Sequence, residues 1–317
     1  MLKPILVVGS INLDLVARVE RIPALGETLT GNSFETFFGG KGANQAVGVA
    51  RLGHAVTMIG RVGGDEFGGR LRRGLSDAGV RTAAVKRTPG VSSGVALISV
   101  ASEGRNTIIV IPGANGSLTP EDLENELASL SSAGMILTQL EVPLSVVAFL
   151  ADFAWSRHIP LVLDPAPARK LPASLLRKVA WLTPNETETC ALCGIGPEKL
   201  NPQNAWQYAN RLLEKGPRNV VIKLGTRGAF WAGADGASAL VPAFQVRAVD
   251  STAAGDAFNA GLAVALTDGK PALDAVRFAS AVAALSVTRA GAQPSMPTAD
   301  EVVKFLSSSN GNRRNRR

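Results

Sequence analysis

Short apolar runs alternate with segments of helical periodicity along most of this chain, and that alternation limits the folds open to it. Apolar runs of strand length lie at residues 5–8, 56–60, 135–138, 161–163 and 220–224. Helical spacing of apolar residues is found at residues 43–50, 67–75, 144–157 and 203–215. Strands connected by helices run parallel, and a parallel sheet is covered on both faces. The sequence therefore predicts a three-layer α/β/α fold with a mostly parallel sheet, whose ligands bind beyond the carboxyl ends of the strands.

Two segments, 13–38 and 92–111, interrupt this rhythm with paired short strands. We expect them to form one small β-sheet that acts as a lid over the site. The α/β core is then assigned to residues 1–12, 39–91 and 112–306. The remaining segment, 307–317, is expected to be a basic, disordered tail, because it lacks apolar periodicity and aromatic residues.

Charge and hydropathy exclude several classes of protein. The net charge of the 317 residues is +7, and about +3 remains without the four Arg of the tail. Such a tail can contact nucleic acid non-specifically, but a solvated end is the preferred interpretation, and no specific nucleic-acid partner is expected. No uncharged apolar run reaches the ~18 residues of a membrane span. The first residues are typical of a core strand and not of a signal peptide, so a cytoplasmic protein without a membrane partner is expected.

Residues 251–261 contain small residues and one carboxylate at the predicted start of a helix. A strand-like run at 244–249 precedes them, and helical character continues to residue 266. Ala253, Ala254 and Gly255 allow a ligand to approach the backbone, and N–H groups at a helix start attract phosphate. An acid repels an anion, so Asp256 suits this turn if it removes a proton from an attacking hydroxyl. The alternative is a helix start with a stabilising Asp.

Two other glycine-containing segments exclude common nucleotide-binding motifs. Residues 39–44, Gly-Gly-Lys-Gly-Ala-Asn, lack the spacing of a Walker A loop. The residues after the first strand lack the G-x-G-x-x-G fingerprint of a dinucleotide fold, which argues against an NAD-dependent enzyme.

From about Ile5 to Leu306, the chain resembles the ribokinase (PfkB) family of sugar kinases. Two motifs carry the resemblance, at residues 39–46 and 250–258, and five shorter ones occur in the same order, at 12–14, 139–141, 164–168, 183–188 and 291–295. The resemblance implies transfer of the γ-phosphoryl group of ATP to the 5-hydroxyl of D-ribose. The alternatives are a kinase for another sugar, such as 2-deoxyribose, and a non-catalytic sugar or nucleotide sensor on the same fold.

The resemblance also implies the roles of individual residues. Asp256 is expected to be the general base, and this role needs no large pKa shift, because an Asp near its reference pKa of ~3.9 is already ionised at neutral pH. The backbone N–H groups of Ala253, Ala254, Gly255 and Asp256 are expected to form an anion hole. The expected sugar-binding residues are Asn12, Asp14, Gly40, Lys41, Gly42, Asn44, Glu141 and Asp256.

For ATP and Mg²⁺, the resemblance implies a second set of residues. Asn185 and Glu188 match an N-x-x-E motif that helps to place Mg²⁺ and the phosphates, partly through water. The other expected ATP-binding residues are Lys223, Gly225, Thr226, Gly228, Gly255 and Ser280. Related sequences often carry Thr at the position of Lys223, so the role of its side chain stays open.

The resemblance further implies a monovalent cation, usually K⁺, beside the anion hole, and a homodimer that pairs through the lid. The expected oxygen ligands of the cation, mostly backbone carbonyls, belong to Asp250, Thr252, Ser286, Arg289, Gly291 and Ser295.

Overall fold

The predicted alternation of strands and helices is present in the computed structural model, which describes residues 3–102, 105–196 and 200–314. The strands are β1 (Ile5–Val8), β2 (Asn12–Val19), β3 (Ser33–Gly39), β4 (Val56–Gly63), β5 (Val85–Thr88), β6 (Gly94–Ala101), β7 (Asn106–Ile111), β8 (Met135–Thr138), β9 (Leu161–Leu163), β10 (Trp181–Leu182), β11 (Asn219–Lys223), β12 (Ala229–Gly233) and β13 (Ser238–Val241). The helices are α1 (Lys41–Arg51), α2 (Glu66–Asp77), α3 (Pro120–Glu124), α4 (Leu127–Ser132), α5 (Leu144–Ser156), α6 (Ala173–Leu176), α7 (Glu186–Cys193), α8 (Ala205–Leu213), α9 (Ala254–Thr267), α10 (Ala272–Ser286) and α11 (Ala299–Arg314).

A nine-stranded sheet forms the middle layer, in the order β13-β12-β11-β10-β9-β8-β1-β4-β5. The strands from β11 to β5 pair in parallel, whereas β12 and β13 add an antiparallel edge. The prediction of a mostly parallel sheet is confirmed.

The central strand β1 shows why helices cover both faces of this sheet. Ile5 and Val7 pack into one buried cluster with residues of α1, α2, α9 and α10, whereas Leu6 and Val8 pack into another with residues of α5 and α8. Successive side chains of a strand point to opposite faces, so an apolar strand must be covered twice. Each such side chain contributes about 1.5–3 kcal/mol on burial. The three-layer α/β/α prediction is confirmed.

A separate four-stranded sheet has the order β3-β2-β6-β7, with β2 and β6 parallel and the other pairs antiparallel. Its strands lie in or within one residue of the segments 13–38 and 92–111, as predicted for a small sheet. The edge strand β7 is exposed along its whole length.

The structure differs from the sequence prediction in two segments. Residues 244–249, predicted as a strand, are irregular, because the N–H groups of Val249 and Asp250 donate to the carbonyl of Val287 after α10 and not to a strand. Helix α11 continues to Arg314, although a disordered tail was predicted from residue 307. The hydroxyls of Ser307 and Ser308 donate back to helix carbonyls in this region. Residues 315–317 of the predicted tail lie outside the described residues.

Polar side chains collect at the carboxyl edge of the large sheet, as expected for parallel strands. Strands β1, β8, β9, β10 and β11 all end at this edge, and helices α1 and α9 begin there. None of the helices in the described ranges combines the length and the apolar character that crossing a membrane requires.

Candidate active site

The start of α9 provides backbone N–H groups without partners. Ala253, the residue before the helix, has a left-handed conformation with φ 59°, which is costly for a residue with a side chain. The N–H of Ala257 makes the first bond back to the carbonyl of Ala253, at 2.9 Å. Within the described part of the chain, the N–H groups of Gly255 and Asp256 have no acceptor. Together with the helix dipole they can hold an anion. The N–H of Ala254, which the predicted hole includes, donates to the carbonyl of Ser251 at 3.2 Å.

The Asp256 carboxylate lies in the same turn and is 5% exposed. Its Oδ2 accepts a hydrogen bond from Asn44 Nδ2 at 3.0 Å, and its Oδ1 accepts one from Gln45 Nε2 at 3.1 Å. Burial raises the pKa of Asp256 to about 6; the Lys41 ammonium and the two amides oppose this shift, and the charge of Asp164 adds to it. No local sequence pattern predicts this pKa shift, because desolvation is a tertiary effect.

Four of the predicted sugar-binding residues meet where β1, α1 and the small sheet come together. The Asn12 Oδ1, on a side chain that is 4% exposed, accepts from Asn115 Nδ2 at 2.7 Å. Glu141 Oε2 accepts from Ser10 Oγ at 2.6 Å and from the backbone N–H of Lys41 at 3.4 Å. The carboxylate of Asp14 packs against Gly39. Sequence reasoning missed Asn115 and Ser10, whose roles depend on contacts across more than 100 residues.

Charge accumulates in this region. Burial, with the nearby charges of Glu141 and Asp256, raises the pKa of Asp14 to about 7. Burial alone would lower the pKa of Lys41, but the carboxylates around it outweigh that effect and raise it above its ordinary value. Lys41 is therefore a permanent cation among several buried acids.

Two glycines allow α1 to begin directly beside β1. Gly40 has φ 89°, and a Cβ on it would lie 2.7 Å from the backbone N of Asn12. A Cβ on Gly42 would lie 2.7 Å from the carbonyl carbon of Gly9. The backbone of the predicted sugar pocket therefore has no room for side chains at these positions.

We expect Gly42→Ala to lower the free energy of unfolding by about 1–3 kcal/mol, because backbone must shift to accept the methyl group. Gly69→Ala in α2 is a matched control, since a Cβ there meets nothing within 4 Å. Alanine in an open helical position should raise stability by roughly 0.5–1 kcal/mol. Denaturant unfolding of both variants measures the difference, and equal midpoints would contradict the steric argument.

A cleft of about 560 Å³ opens above the start of α9. This volume lies within the range of ~300–1,000 Å³ that is usual for ligand pockets. The cleft brings together all the predicted ATP-binding residues: Asn185, Glu188, Lys223, Gly225, Thr226, Gly228, Gly255 and Ser280. Asp256, Lys41 and the small residues Ala253 and Ala254 also line it.

The N-x-x-E motif has a local structural role in addition to the predicted one. Asn185 Oδ1 accepts from the N–H of Glu188 at 2.8 Å, and Glu188 Oε2 accepts from the N–H of Asn185 at 2.7 Å. This reciprocal capping box starts α7. Burial raises the pKa of Glu188, with Lys223 opposing the shift and Asp164 adding to it. The motif therefore presents a buried carboxylate to the cleft from a fixed helix end.

Asp164 and Gln45 are the main site residues to which sequence reasoning assigned no role. Asp164 follows β9, is 3% exposed, and accepts from Lys223 Nζ at 3.0 Å and from Gln45 Nε2 at 3.3 Å. Its position after a buried strand was a usable signal. Gln45 lies within the motif at residues 39–46, but the resemblance assigned it no role of its own.

The predicted cation ligands fall into two groups. Asp250 Oδ1 accepts from the N–H and the hydroxyl of Thr252, at 2.9 and 2.7 Å, and its Oδ2 accepts from the N–H of Gly291 at 2.8 Å. Burial opposes the resulting shift, but these bonds lower the pKa of Asp250. The structure thus brings Asp250, Thr252 and Gly291 together.

Side chains of the other three predicted ligands are engaged elsewhere. Arg289 pairs with Glu301 of α11, with Nη2 and Oε1 2.6 Å apart. The hydroxyls of Ser286 and Ser295 donate to nearby carbonyls, at 2.9 and 2.7 Å. Each hydroxyl oxygen still has lone pairs for a cation, whereas the side chain of Arg289 has no acceptor, so this residue can offer only its backbone oxygen. Among the described residues, no three or more His, Cys, Asp or Glu are grouped as a metal site.

A buried acid, an anion hole and a nucleotide-sized cleft at one sheet edge are the parts of a phosphotransferase, and comparisons with known proteins identify its class. The model of the family described as pfkB family carbohydrate kinase matches residues 3–299. The chain belongs to this family, which confirms the resemblance, and it is a sugar kinase.

Individual relatives agree over nearly the whole length. Ribokinase of Haemophilus influenzae is 40% identical over 306 residues, covering 96% of this chain and 99% of that protein. Deoxyribokinase of Salmonella typhi is 38% identical over 304 residues, covering 96% and 98%. The structure of Arabidopsis thaliana ribokinase complexed with ribose and ATP matches with a TM-score of 0.90 and 34% identity, covering 96% of this chain and 99% of that one.

Proposed function

We propose that this protein transfers the γ-phosphoryl group of ATP to the 5-hydroxyl of D-ribose, giving ribose 5-phosphate and ADP. One observation carries the proposal: a buried Asp256 carboxylate adjoins the free N–H groups of Gly255 and Asp256 at the mouth of the cleft. Similarity to ribokinases, one of them solved with ribose and ATP, supports ribose as the acceptor.

In the proposed reaction, Asp256 accepts the proton of the 5-hydroxyl as that oxygen attacks the γ-phosphorus. The bond between the γ-phosphorus and the bridging oxygen breaks, and ADP takes the electron pair. The N–H groups at the start of α9 hold the charge of the transferred group. The sugar is positioned for in-line attack by its oxygen. The residues that hold it are Asn12, Asp14, Gly40, Gly42, Asn44 and Glu141, and Lys41 lies between sugar and phosphates.

The residues at the start of α7 fit a Mg²⁺ cofactor. Asn185 and Glu188 would hold it, and carboxylate and amide oxygens suit this hard cation, which usually keeps several waters. When bound, Mg²⁺ neutralises phosphate charge. Glu188 supplies a buried carboxylate in the cleft, with Lys223 and Lys41 among the charges around it.

The loop around Asp250 fits a monovalent cation, for which we propose K⁺. The donor set consists of oxygen atoms, which suits a hard cation, and the guanidinium of Arg289 is directed to Glu301. Asp250, Thr252, Ser286, Arg289, Gly291 and Ser295 would supply these oxygens. Asp250 and Thr252 directly precede α9 in the sequence, so a cation bound to them would hold the turn that forms the anion hole.

The small sheet supports both a lid and a homodimer. Apolar residues of β7 are exposed, with Ile108 at 56% and Ile109 at 63%. Exposed apolar edge strands are typical of interaction surfaces, because they offer unpaired backbone groups and apolar area together. We expect light scattering to give twice the chain mass, and Ile109→Asp to shift the species toward a monomer. A monomeric parent protein would contradict the pairing.

The cytoplasmic location stays a prediction.

The proposal is tested by ATP-dependent phosphorylation of a pentose and hexose panel, with Mg²⁺ and with or without K⁺. Faster, K⁺-stimulated turnover of D-ribose than of 2-deoxyribose is the expected result. The deoxyribokinase relative at 38% identity makes 2-deoxyribose the second candidate. A preference for 2-deoxyribose would change the assigned substrate and leave the proposed mechanism unchanged. No turnover of any sugar, with ATP still bound, would favour the sensor alternative.

The acid limb of the rate profile tests the two buried carboxyls. Because Asp14 and Asp256 have pKa values of about 7 and about 6, kcat/KM for the sugar should fall as pH drops through this range. A protonated Asp256 cannot accept the hydroxyl proton. The two steps belong to the interacting pair, so Asp14→Asn should leave a single, lower step. A profile that stays flat to about pH 5 would contradict an ionisation requirement with these pKa values.

A further inference from the structure

The side chain of Gln45 lies between two buried carboxylates and is 1% exposed. Its Nε2 donates to Asp256 Oδ1 at 3.1 Å and to Asp164 Oδ2 at 3.3 Å. Its Oε1 accepts from Gln139 Nε2 at 2.7 Å. Every polar atom of this amide is therefore used inside the protein.

The contact with Gln139 decides which way the Gln45 amide faces. An amide has one accepting and one donating end, and the network around it assigns the two. Since Gln139 donates to the oxygen of Gln45, the NH₂ end must face the acids. Its two hydrogens can then serve Asp256 and Asp164, one each. Gln139 is 0% exposed and directly follows β8, and its own Oε1 has no hydrogen-bond partner among the described residues.

The Asp256 carboxylate is consequently held at both oxygens. Asn44 Nδ2 bonds Oδ2 and Gln45 Nε2 bonds Oδ1. Two donors on different oxygens prevent the carboxylate from rotating about its χ2 torsion, which is otherwise a soft one. The amide of Gln45 also keeps a neutral donor between Asp256 and Asp164, whose other oxygen binds Lys223.

We infer that Gln45 is a positioning residue for the proposed general base: it fixes the orientation of the Asp256 carboxylate and separates it from Asp164. This inference rests on the proposed function. Gln45 lies behind the base and acts through it. The charged groups around Asp256 and Asp164 come from six elements or the residues that follow them: Asp14, Lys41, Glu141, Asp164, Glu188 and Lys223.

The test compares Gln45→Met, which keeps the chain length but has no donor, with Gln45→Glu, which places a third acid between the two carboxylates. We expect Gln45→Met to lower kcat by about 10–10²-fold, since a small misplacement of a catalytic group can cost that much. The KM for sugar and ATP should change by less than about threefold, because no substrate contact is lost. In Gln45→Met the Asp256 carboxylate loses a hydrogen-bond donor, so the acid limb of kcat should move to higher pH. The move should be larger for Gln45→Glu, because that variant also places a third acid between the two carboxylates.

Controls separate this role from a structural one. Gln207→Met, at an exposed position of α8, makes the same chemical change and should match the parent protein. Calorimetric titration with a non-hydrolysable ATP analogue counts the folded sites, so a partly unfolded variant is still interpretable. If the parent protein is active, and Gln45→Met has the same kcat per folded site and the same acid limb as the parent, the inference is overturned. The proposed function is then unaffected.

A parent protein without turnover on any sugar would contradict the proposed function instead. In that case the titration of the Asp256 carboxyl, followed by ¹³C NMR in the parent protein and in Gln45→Met, still tests the contact. A higher pKa of Asp256 in Gln45→Met than in the parent protein supports the contact. Identical titration curves overturn it.

Discussion

Asp256→Ala is expected to lower kcat by about 10²–10⁴-fold, the range that a general base contributes. The reason is the position of the carboxylate: it is buried, oriented by Asn44 and Gln45, and adjoins the anion hole. Nucleotide binding should persist, because the cleft is lined by many other residues. Steady-state kinetics with the preferred sugar, together with calorimetric ATP binding, measure both effects.

Asp152→Ala is a suitable control, since Asp152 pairs with Lys178 at the surface and is 61% exposed. Exposed ion pairs contribute little to the free energy of unfolding, so the variant should stay folded and keep the kcat of the parent protein. Near-normal turnover of Asp256→Ala would remove this residue from the role of base.

Stability should move in the opposite direction to activity. The pKa of Asp256 in the folded protein, about 6, is higher than the ~3.9 of an unfolded Asp. The folded state therefore binds this proton more tightly, and its stability falls as pH rises from about 4 through about 6. At neutral pH the ionised carboxylate is unfavourable, so Asp256→Asn should raise the melting temperature. A melting temperature lower than that of the parent protein would contradict this account of the pKa.

Lys223→Met is expected to lower kcat by about 10²–10³-fold, as removal of one charge-stabilising donor does. A Cβ on Gly255 would lie 3.3 Å from Lys223 Nζ, so the ammonium is close to a residue that supplies one of the free N–H groups. Its side chain is 14% exposed and lines the cleft. An ammonium has three donors, and the 3.0 Å bond to Asp164 uses one of them. The others can contact phosphate oxygens.

Two further variants distinguish phosphate binding from ion pairing. Lys304→Met removes an exposed lysine of α11 and should have no effect. If Lys223 only neutralises Asp164, adding Asp164→Asn to Lys223→Met should restore both stability and kcat. If Lys223 binds phosphate, the double variant should recover stability alone. Unfolding curves and single-turnover rates of the three variants decide between these cases.

Much of the fold could be predicted because its signals are local. The apolar run of β1 and the helical spacing in α1 each depend on residues a few positions apart. The start of α9 was predicted from Gly255 and Asp256 for the same reason. The strand predicted at 244–249 was wrong, because a segment of alternating apolar and polar residues does not form a ladder without a neighbouring strand, and its end bonds to Val287 instead.

The sequence by itself determined the parallel sheet, the family, and the identity of the acid in the turn at residue 256, since all three are written in periodicity and short motifs. Only the tertiary structure decided how that acid is held and charged. Gln45 and Asp256 are 211 positions apart, and Lys223 and Asp164 are 59 apart. Hydrogen bonding and desolvation depend on which distant groups meet and on how much water they exclude. A linear pattern contains neither quantity, and so the pKa of Asp256 and the roles of Gln45 and Asp164 follow from the fold.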